Sequence, residues 1–207
     1  MSQLGDYERE KNIAWQRSQV TPDERAKLIG QRGICVWLTG LSGSGKLTIS
    51  FSVEKLMLEK DTISYVLDGD NLRHGINQDL GFTETDRREN VRRIGQIAKL
   101  FVDAGIVTFV AVISPYRADR KAVRHLFQPG EFLEVFVDCP LEVCANRDVK
   151  KLYHKALSGE VQNFIGVTAL YEPPEDPDLT LKTGVWTLVP SPYITPAEGN
   201  GGTFTQI

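Results

Sequence analysis

Sixteen residues constrain this chain more than any others: GICVWLTGLSGSGKLT, positions 33–48. The first seven are an almost unbroken apolar run, as a strand buried on both faces requires. The next seven, Gly40 to Lys46, fit the spacing G-x-x-x-x-G-K. From Lys46 to Lys60, Ile49, Val53, Leu56 and Met57 recur at helical spacing. A strand, a glycine-rich loop and a helix in direct succession make an anion site. The glycines let consecutive N–H groups turn toward phosphate oxygens. The helix starting at Lys46 adds its positive end, and Lys46 adds a mobile cation for a transferring phosphoryl group. Gly40, Ser42, Gly43, Ser44, Gly45, Lys46, Leu47 and Thr48 are therefore the expected nucleotide-phosphate positions. A glycine-rich turn without a ligand is the competing reading. The strand before it and the helix after it weigh against that.

The loop carries one defect. Its last position calls for Ser or Thr, whose hydroxyl binds Mg²⁺, and here it is Leu47. Thr48 is adjacent, but one residue turns a helix by about 100°, so its hydroxyl faces elsewhere. The phosphate cradle is backbone and should persist, while metal affinity should fall.

The rest of the chain alternates between periods. Thr21-Pro22-Asp23-Glu24 is a helix start that ends near Gly30. Strands are expected at 63–67, 107–113 and 132–137, with an edge strand at 179–182. Helices are expected at 83–104, with Val91, Ile94, Ala98 and Phe101 on one face, at 118–127, up to Arg147, and at 149–158. Alternation without hairpin signals predicts an α/β chain, a three-layer α/β/α P-loop NTPase fold with a mostly parallel sheet. Polar or glycine-rich segments follow each strand at Gly40, Asp68, Ser114 and Asp138, so one site should lie along one sheet edge. The 207 residues suit a single main domain over 21–184, with a polar arm at 1–20 and an irregular Pro/Gly-broken tail at 185–207.

A net charge of -3 gives no general attraction to nucleic acid, and no apolar run of about 18 residues predicts a membrane span. The start of the chain lacks a signal-peptide core. Cys35, Cys139 and Cys144 have neither metal nor disulfide-framework spacing; Cys35 and Cys139 lie in apolar, strand-like runs and read as small buried hydrophobes, in a reducing, cytoplasmic setting.

Two further groups of residues carry chemistry. Asp68-Gly69-Asp70-Asn71 closes the second strand, where two carboxylates can hold Mg²⁺ or orient a hydroxyl nucleophile. The alternative is an ordinary Asp/Asn/Gly turn. Arg73, Arg87, Arg88, Arg92 and Arg93 crowd the next stretch. Arg87 and Asn90 share a helix face, and an arginine fork suits phosphate or sulfate oxygens. Arg88 and Arg93 read better as a solvated face. Ser114-Pro115-Tyr116-Arg117 could also meet an anion, and Lys150, Lys151, His154 and Lys155 form a basic, lid-like stretch. His74, His125 and His154 read as surface residues.

Taken together, GLSGSGK, LDGDN, LGF followed by DRRENVRRIG, ISPYR and LEVFVDCPLEVCANRDVK resemble adenosine 5′-phosphosulfate (APS) kinase over about residues 10–184. The resemblance implies transfer of the ATP γ-phosphoryl group to the 3′-hydroxyl of APS, giving 3′-phosphoadenosine 5′-phosphosulfate (PAPS) and ADP, with Mg²⁺ as cofactor. It implies that Lys46, Asp68 and Asp70 serve catalysis, with Asp68 and Asp70 also toward the metal. It implies APS contacts from Asp68, Asp70, Asn71, Arg73, Phe82, Arg87, Asn90, Ile113, Ser114, Lys150 and Phe164, with Phe82 and Phe164 stacking the adenine. Ser114 also matches a serine that some bacterial members carry phosphorylated. A homodimer working beside ATP sulfurylase is the family's habit. Leu47, Lys151, Asn163, Ile165 and the tail depart from its pattern. Two alternatives stand beside an active kinase: an ATP- and APS-binding protein with impaired turnover, and another small-molecule P-loop kinase. A regulatory GTPase lacks its base-reading motif here.

Overall fold

The computed structural model describes residue 16, residues 18–148 and residues 151–184. The expected arm at 1–20 falls mostly outside the described residues, and the tail at 185–207 falls wholly outside them.

Five strands form one sheet: β1 (Ile34–Thr39), β2 (Ser64–Asp68), β3 (Val107–Ala111), β4 (Phe132–Asp138) and β5 (Leu179–Lys182). Their order is β2-β3-β1-β4-β5 and every pairing is parallel. The seven helices among the described residues are α1 (Pro22–Ile29), α2 (Lys46–Leu58), α3 (Gly69–Arg73), α4 (Glu84–Asp103), α5 (Arg117–Arg124), α6 (Leu141–Asn146) and α7 (Leu152–Leu157).

Two apolar layers sandwich the sheet. On one side Trp37, Leu67 and Val110 meet Val91, Ile94 and Ala98 of α4 and Val123 of α5. On the other, Leu38, Phe109, Val135 and Val137 meet Ile49, Val53 and Met57 of α2. Full burial of one such side chain contributes about 1.5–3 kcal/mol, which is why the central strands β1 and β3 are almost wholly apolar. The α2 and α5 connections thus leave neighbouring strands β1 and β3 toward opposite faces. The crevice beyond the carboxyl ends of β1 and β3 is then the topological switch point, where parallel sheets bind ligands.

The anticipated elements are present, with local corrections. Leu56 is 56% exposed, because the buried stripe of α2 runs at steps of four through 49, 53 and 57. On α4 the same stepping from Ile94 through Ala98 buries Val102. Phe101 sits at the edge of that face, its ring 5.2 Å from that of Tyr65. The Asp-Gly-Asp-Asn segment is not a simple turn. It opens α3, with the Asp68 carboxylate accepting from the Asn71 N–H at 3.0 Å. The helix expected over 149–158 is the shorter α7, started by Asp148, whose carboxylate accepts from the N–H groups of Leu152 and Tyr153 at 2.8 and 2.7 Å.

Candidate active site

The loop between β1 and α2 is braced from outside, carbonyl by carbonyl. Tyr153 Oη donates to the Ser42 carbonyl at 2.7 Å, Arg147 Nη1 to the Gly43 carbonyl at 3.5 Å, and Thr183 Oγ1 to the Ser44 carbonyl at 2.8 Å. Arg147 Nη2 also donates to the Thr183 carbonyl at 2.7 Å, so two of the braces hold each other. Across a trans peptide the next N–H points the opposite way. The N–H groups of Gly43 and Gly45 are thereby turned toward the inside of the loop, as an anion cradle needs, while that of Ser44 donates to the Leu41 carbonyl at 3.2 Å. Gly40, at φ 150°, must be glycine, since a Cβ there would lie 2.5 Å from the Val137 carbonyl oxygen. Gly45, at φ 100°, makes the left-handed step into α2.

Lys46 is 9% exposed. Its Nζ donates to the Gly40 and Leu41 carbonyls at 2.9 and 2.7 Å. Burial pushes its pKa down to about 8, against the opposing pull of Cys144, Asp70, Asp68 and Cys139. Leu47, half-buried in the first turn of α2, offers no oxygen. Asp68 is half-buried and Asp70 exposed in the first turn of α3. One Asp68 oxygen is committed to the helix cap. Among the described residues no group of three or more His, Cys, Asp or Glu gathers to hold a metal. Magnesium asks less than that, since it keeps several waters and relies on substrate phosphates, so a carboxylate or two fits it.

Of the five clustered arginines, three are neutralised. Arg88 pairs with Glu84 at 2.8 Å, Arg92 with Glu89 at 2.6 Å, and Arg93 with Asp79 at 2.7 Å. Arg73 and Arg87 make no ion pair among the described residues and are held by carbonyls. Arg73 Nη1 donates to the carbonyls of Leu80 and Gly81 at 3.0 and 2.9 Å. Arg87 donates to those of Phe82 and Asn163 at 3.1 and 2.8 Å. Both guanidiniums lie against the Phe82 ring, 4.5 and 5.4 Å from its centroid. This is a preorganised cationic pair on an aromatic plate. A cleft of about 380 Å³ opens beside it, with Phe82, Arg87, Arg88, Tyr116 and Asn163 on its wall.

Other expected site residues are placed differently. Phe164 is 8% exposed and packs edge-on against Tyr153 at 4.8 Å, so it is not a wall of the cleft that Phe82 lines. Asn90 is buried and accepts from Asn77 Nδ2 at 3.1 Å. Asn71 is exposed, and Ile113 half-buried. Arg117, expected to meet an anion, turns away to the Pro173 carbonyl at 2.6 Å and Glu175 at 2.9 Å. Ser114 sits at the crevice with its hydroxyl sealed. It is 3% exposed, accepting from Trp37 Nε1 and donating to Thr39 Oγ1, each at 3.0 Å. A phosphoryl group on that oxygen would take the place of the proton donated to Thr39. Lys150 lies outside the described residues. The three histidines are exposed and the three cysteines are free and buried.

Sequence reasoning missed the braces Tyr153, Arg147 and Thr183. Nothing local marks them, because each lies about a hundred or more positions from the carbonyl it holds.

Comparison with known proteins agrees with this geometry. The family described as Adenylylsulphate kinase matches residues 32–182. An adenylyl-sulfate kinase of Lactiplantibacillus plantarum is 55% identical over 180 residues, covering 87% of each chain. One from Geotalea daltonii is 53% identical over 177 residues, covering 86% of this chain and 87% of the relative. The Mycobacterium tuberculosis APS kinase CysC, solved in complex with AMPPNP and APS, is 48% identical with a TM-score of 0.71, covering 73% of this chain and 88% of that one.

Proposed function

The chain belongs to the adenylylsulphate kinase family, and we propose how its own residues carry out that family's reaction, transfer of the ATP γ-phosphoryl group to the 3′-hydroxyl of adenosine 5′-phosphosulfate. One observation carries the assignment. The carbonyl-braced phosphate loop and the Arg73–Phe82–Arg87 plate both belong to connections leaving the carboxyl ends of parallel strands in one sheet. The Asp68–Asp70 pair closes β2 on the same edge.

The donor phosphates lie in the loop, against the N–H groups of Gly43 and Gly45 and the start of α2. Lys46 gives up the Gly40 and Leu41 carbonyls for phosphate oxygens and follows the charge as it moves. The acceptor's base lies on Phe82, while Arg73 and Arg87 hold its phosphosulfate by charge-assisted bonds. Asp70 orients the 3′-hydroxyl and takes its proton. The new bond joins that oxygen to the γ-phosphorus, and the bond to the β,γ-bridging oxygen breaks, leaving ADP. Positioning and electrostatics dominate such transfers, which suits a site built from donors and cations. Magnesium, when bound, neutralises developing phosphate charge, and Asp68 and Asp70 are the side chains that would hold it. We further propose that the enzyme is a cytoplasmic homodimer taking its acceptor from ATP sulfurylase. No helix among the described residues is long and apolar enough to cross a membrane; a solved relative from Thiobacillus denitrificans is a hexameric APS kinase, which supports self-association but not the dimer in particular.

Two variants test the assignment of roles. Arg87→Ala should raise the APS KM about tenfold and leave the ATP KM within about twofold, as loss of one charge-assisted contact predicts. Asp70→Asn should lower kcat roughly 100-fold with small KM changes, the scale of general-base help. Steady-state kinetics in both substrates decides. Parallel loss of ATP and APS affinity in Arg87→Ala would remove the acceptor assignment.

A further inference from the structure

Thr39, the residue before the phosphate loop, is fully buried and sits at the centre of a polar cluster. Its Oγ1 lies 2.7 Å from the Ile113 carbonyl, 3.0 Å from Ser114 Oγ and 3.0 Å from the Tyr171 hydroxyl. The proton positions follow from the donor inventory. An indole N–H only donates, so Ser114 Oγ accepts from Trp37 at 3.0 Å. The Ser114 proton then goes to Thr39. A carbonyl only accepts, so Thr39 spends its single proton on Ile113. Tyr171 must therefore donate to Thr39. Burial pushes the Tyr171 phenol up to about 12, so it keeps that proton over the working pH range.

Tyr171 belongs to the segment that walls the acceptor cleft. Residues 163–172 include Asn163, Ala169, Leu170 and Glu172 of that wall. The segment is tied to itself: the N–H groups of Thr168 and Ala169 donate to the Phe164 carbonyl at 2.9 and 3.0 Å. It is anchored to the rest of the protein at several points: the Glu172 N–H donates to the Pro115 carbonyl at 2.9 Å, the Glu172 carboxylate accepts from the Arg117 N–H at 2.8 Å, and Phe164 packs on Tyr153. Arg87 holds the Asn163 carbonyl at one end. At the other, Arg120 is 2% exposed and donates both to the Glu172 carbonyl and to the Ser114 carbonyl, each at 2.7 Å. A further side-chain tie is the Tyr171 hydroxyl on Thr39. None of the side chains bracing the phosphate loop is hydrogen-bonded to Tyr171 among the described residues.

We propose that Tyr171 is a positioning residue for the acceptor: its hydroxyl latches residues 163–172, one wall of the APS cleft, onto the base of the phosphate loop through Thr39. The inference rests on placing APS in the cleft beside Phe82 and Arg87. Without the latch the wall samples open positions, and apparent affinity falls by the fraction of time it is closed. The donor loop keeps its own braces, so ATP should bind as before.

The test is Tyr171→Phe, which removes one oxygen and keeps the ring that stacks on Phe136 at 6.3 Å. The expected result is an APS KM raised about tenfold, with ATP KM within about twofold and thermal midpoint nearly unchanged. Thr39→Val should reproduce this APS-selective loss. Thr39→Ser, which keeps the acceptor oxygen, should behave like the parent. In the double variant with Thr39→Val, Tyr171→Phe should add nothing further. An unchanged APS KM in Tyr171→Phe would overturn the proposal. So would equal loss for both substrates together with a lowered thermal midpoint, since that is a merely structural role. Arg73→Ala assayed in parallel keeps the two ideas apart, because Arg73 bonds the Leu80 and Gly81 carbonyls and, among the described residues, nothing in residues 163–172. If it leaves the APS KM untouched, the placement of APS fails. If it raises that KM and Tyr171→Phe does not, the latch alone fails.

Discussion

Lys46→Ala should lower kcat by roughly 10²–10³, the scale for loss of one preorganised donor at a developing charge. The fold should survive, because the carbonyls of Ser42, Gly43 and Ser44 keep Tyr153, Arg147 and Thr183 as partners. The same lysine predicts a proton signature in the parent enzyme. Burial depresses its pKa to about 8. Phosphate oxygens favour the ammonium, so nucleotide binding raises that pKa and takes up a proton wherever the free lysine is partly neutral. The bound state then holds more protons than the free one, and affinity must fall as pH rises through about 8. Below about pH 7 the lysine is already charged and the uptake vanishes. Calorimetry of ATP binding in buffers of different ionisation enthalpy reads the uptake directly. Lys46→Ala should abolish it. A variant with parental kcat, or binding at about pH 8 with no proton exchange, would contradict the role given to this side chain.

Leu47→Ser should strengthen magnesium binding. Restoring one oxygen at the start of α2 adds a ligand where the present side chain offers only carbon. The free Mg²⁺ giving half-maximal rate should fall about tenfold, the order of one contact to a charged group. Calorimetric affinity for ATP in the presence of magnesium should rise with it, while affinity for metal-free ATP should stay put, since the backbone cradle is unchanged. Leu47 is half-buried, so a small fall in thermal midpoint is expected alongside. If the parent already saturates at the same Mg²⁺ as Leu47→Ser, Asp68, Asp70 and the substrate phosphates suffice, and Leu47 has no functional consequence.

The legible parts of this molecule are those whose cause is local. Strand β1, the loop and α2 occupy one short stretch with its own periodicity, and their reading carries over almost residue by residue. The acidic pair and the arginine cluster are likewise visible as residues. Which arginines keep their charge available is less so. Glu84–Arg88 and Glu89–Arg93 sit at helical (i, i+4) spacing, so their neutralisation is readable in principle. Arg93 with Asp79 and Arg117 with Glu175 need the chain's path. The braces on the phosphate loop are beyond reach for the same reason, since Tyr153 and Thr183 meet it only in three dimensions. Phe164 shows a different limit. Family resemblance supplies its position but not its partner, and here its ring goes to Tyr153.

The most direct measurement supplies the purified protein with ATP, Mg²⁺ and APS, separates the nucleotides, and locates the new phosphate by ³¹P NMR. The expected products are PAPS phosphorylated at the 3′-oxygen and ADP in equal amounts, with ADP formation dependent on APS. ADP released at the same rate without APS, or a phosphate found on any other acceptor, would contradict the assigned reaction.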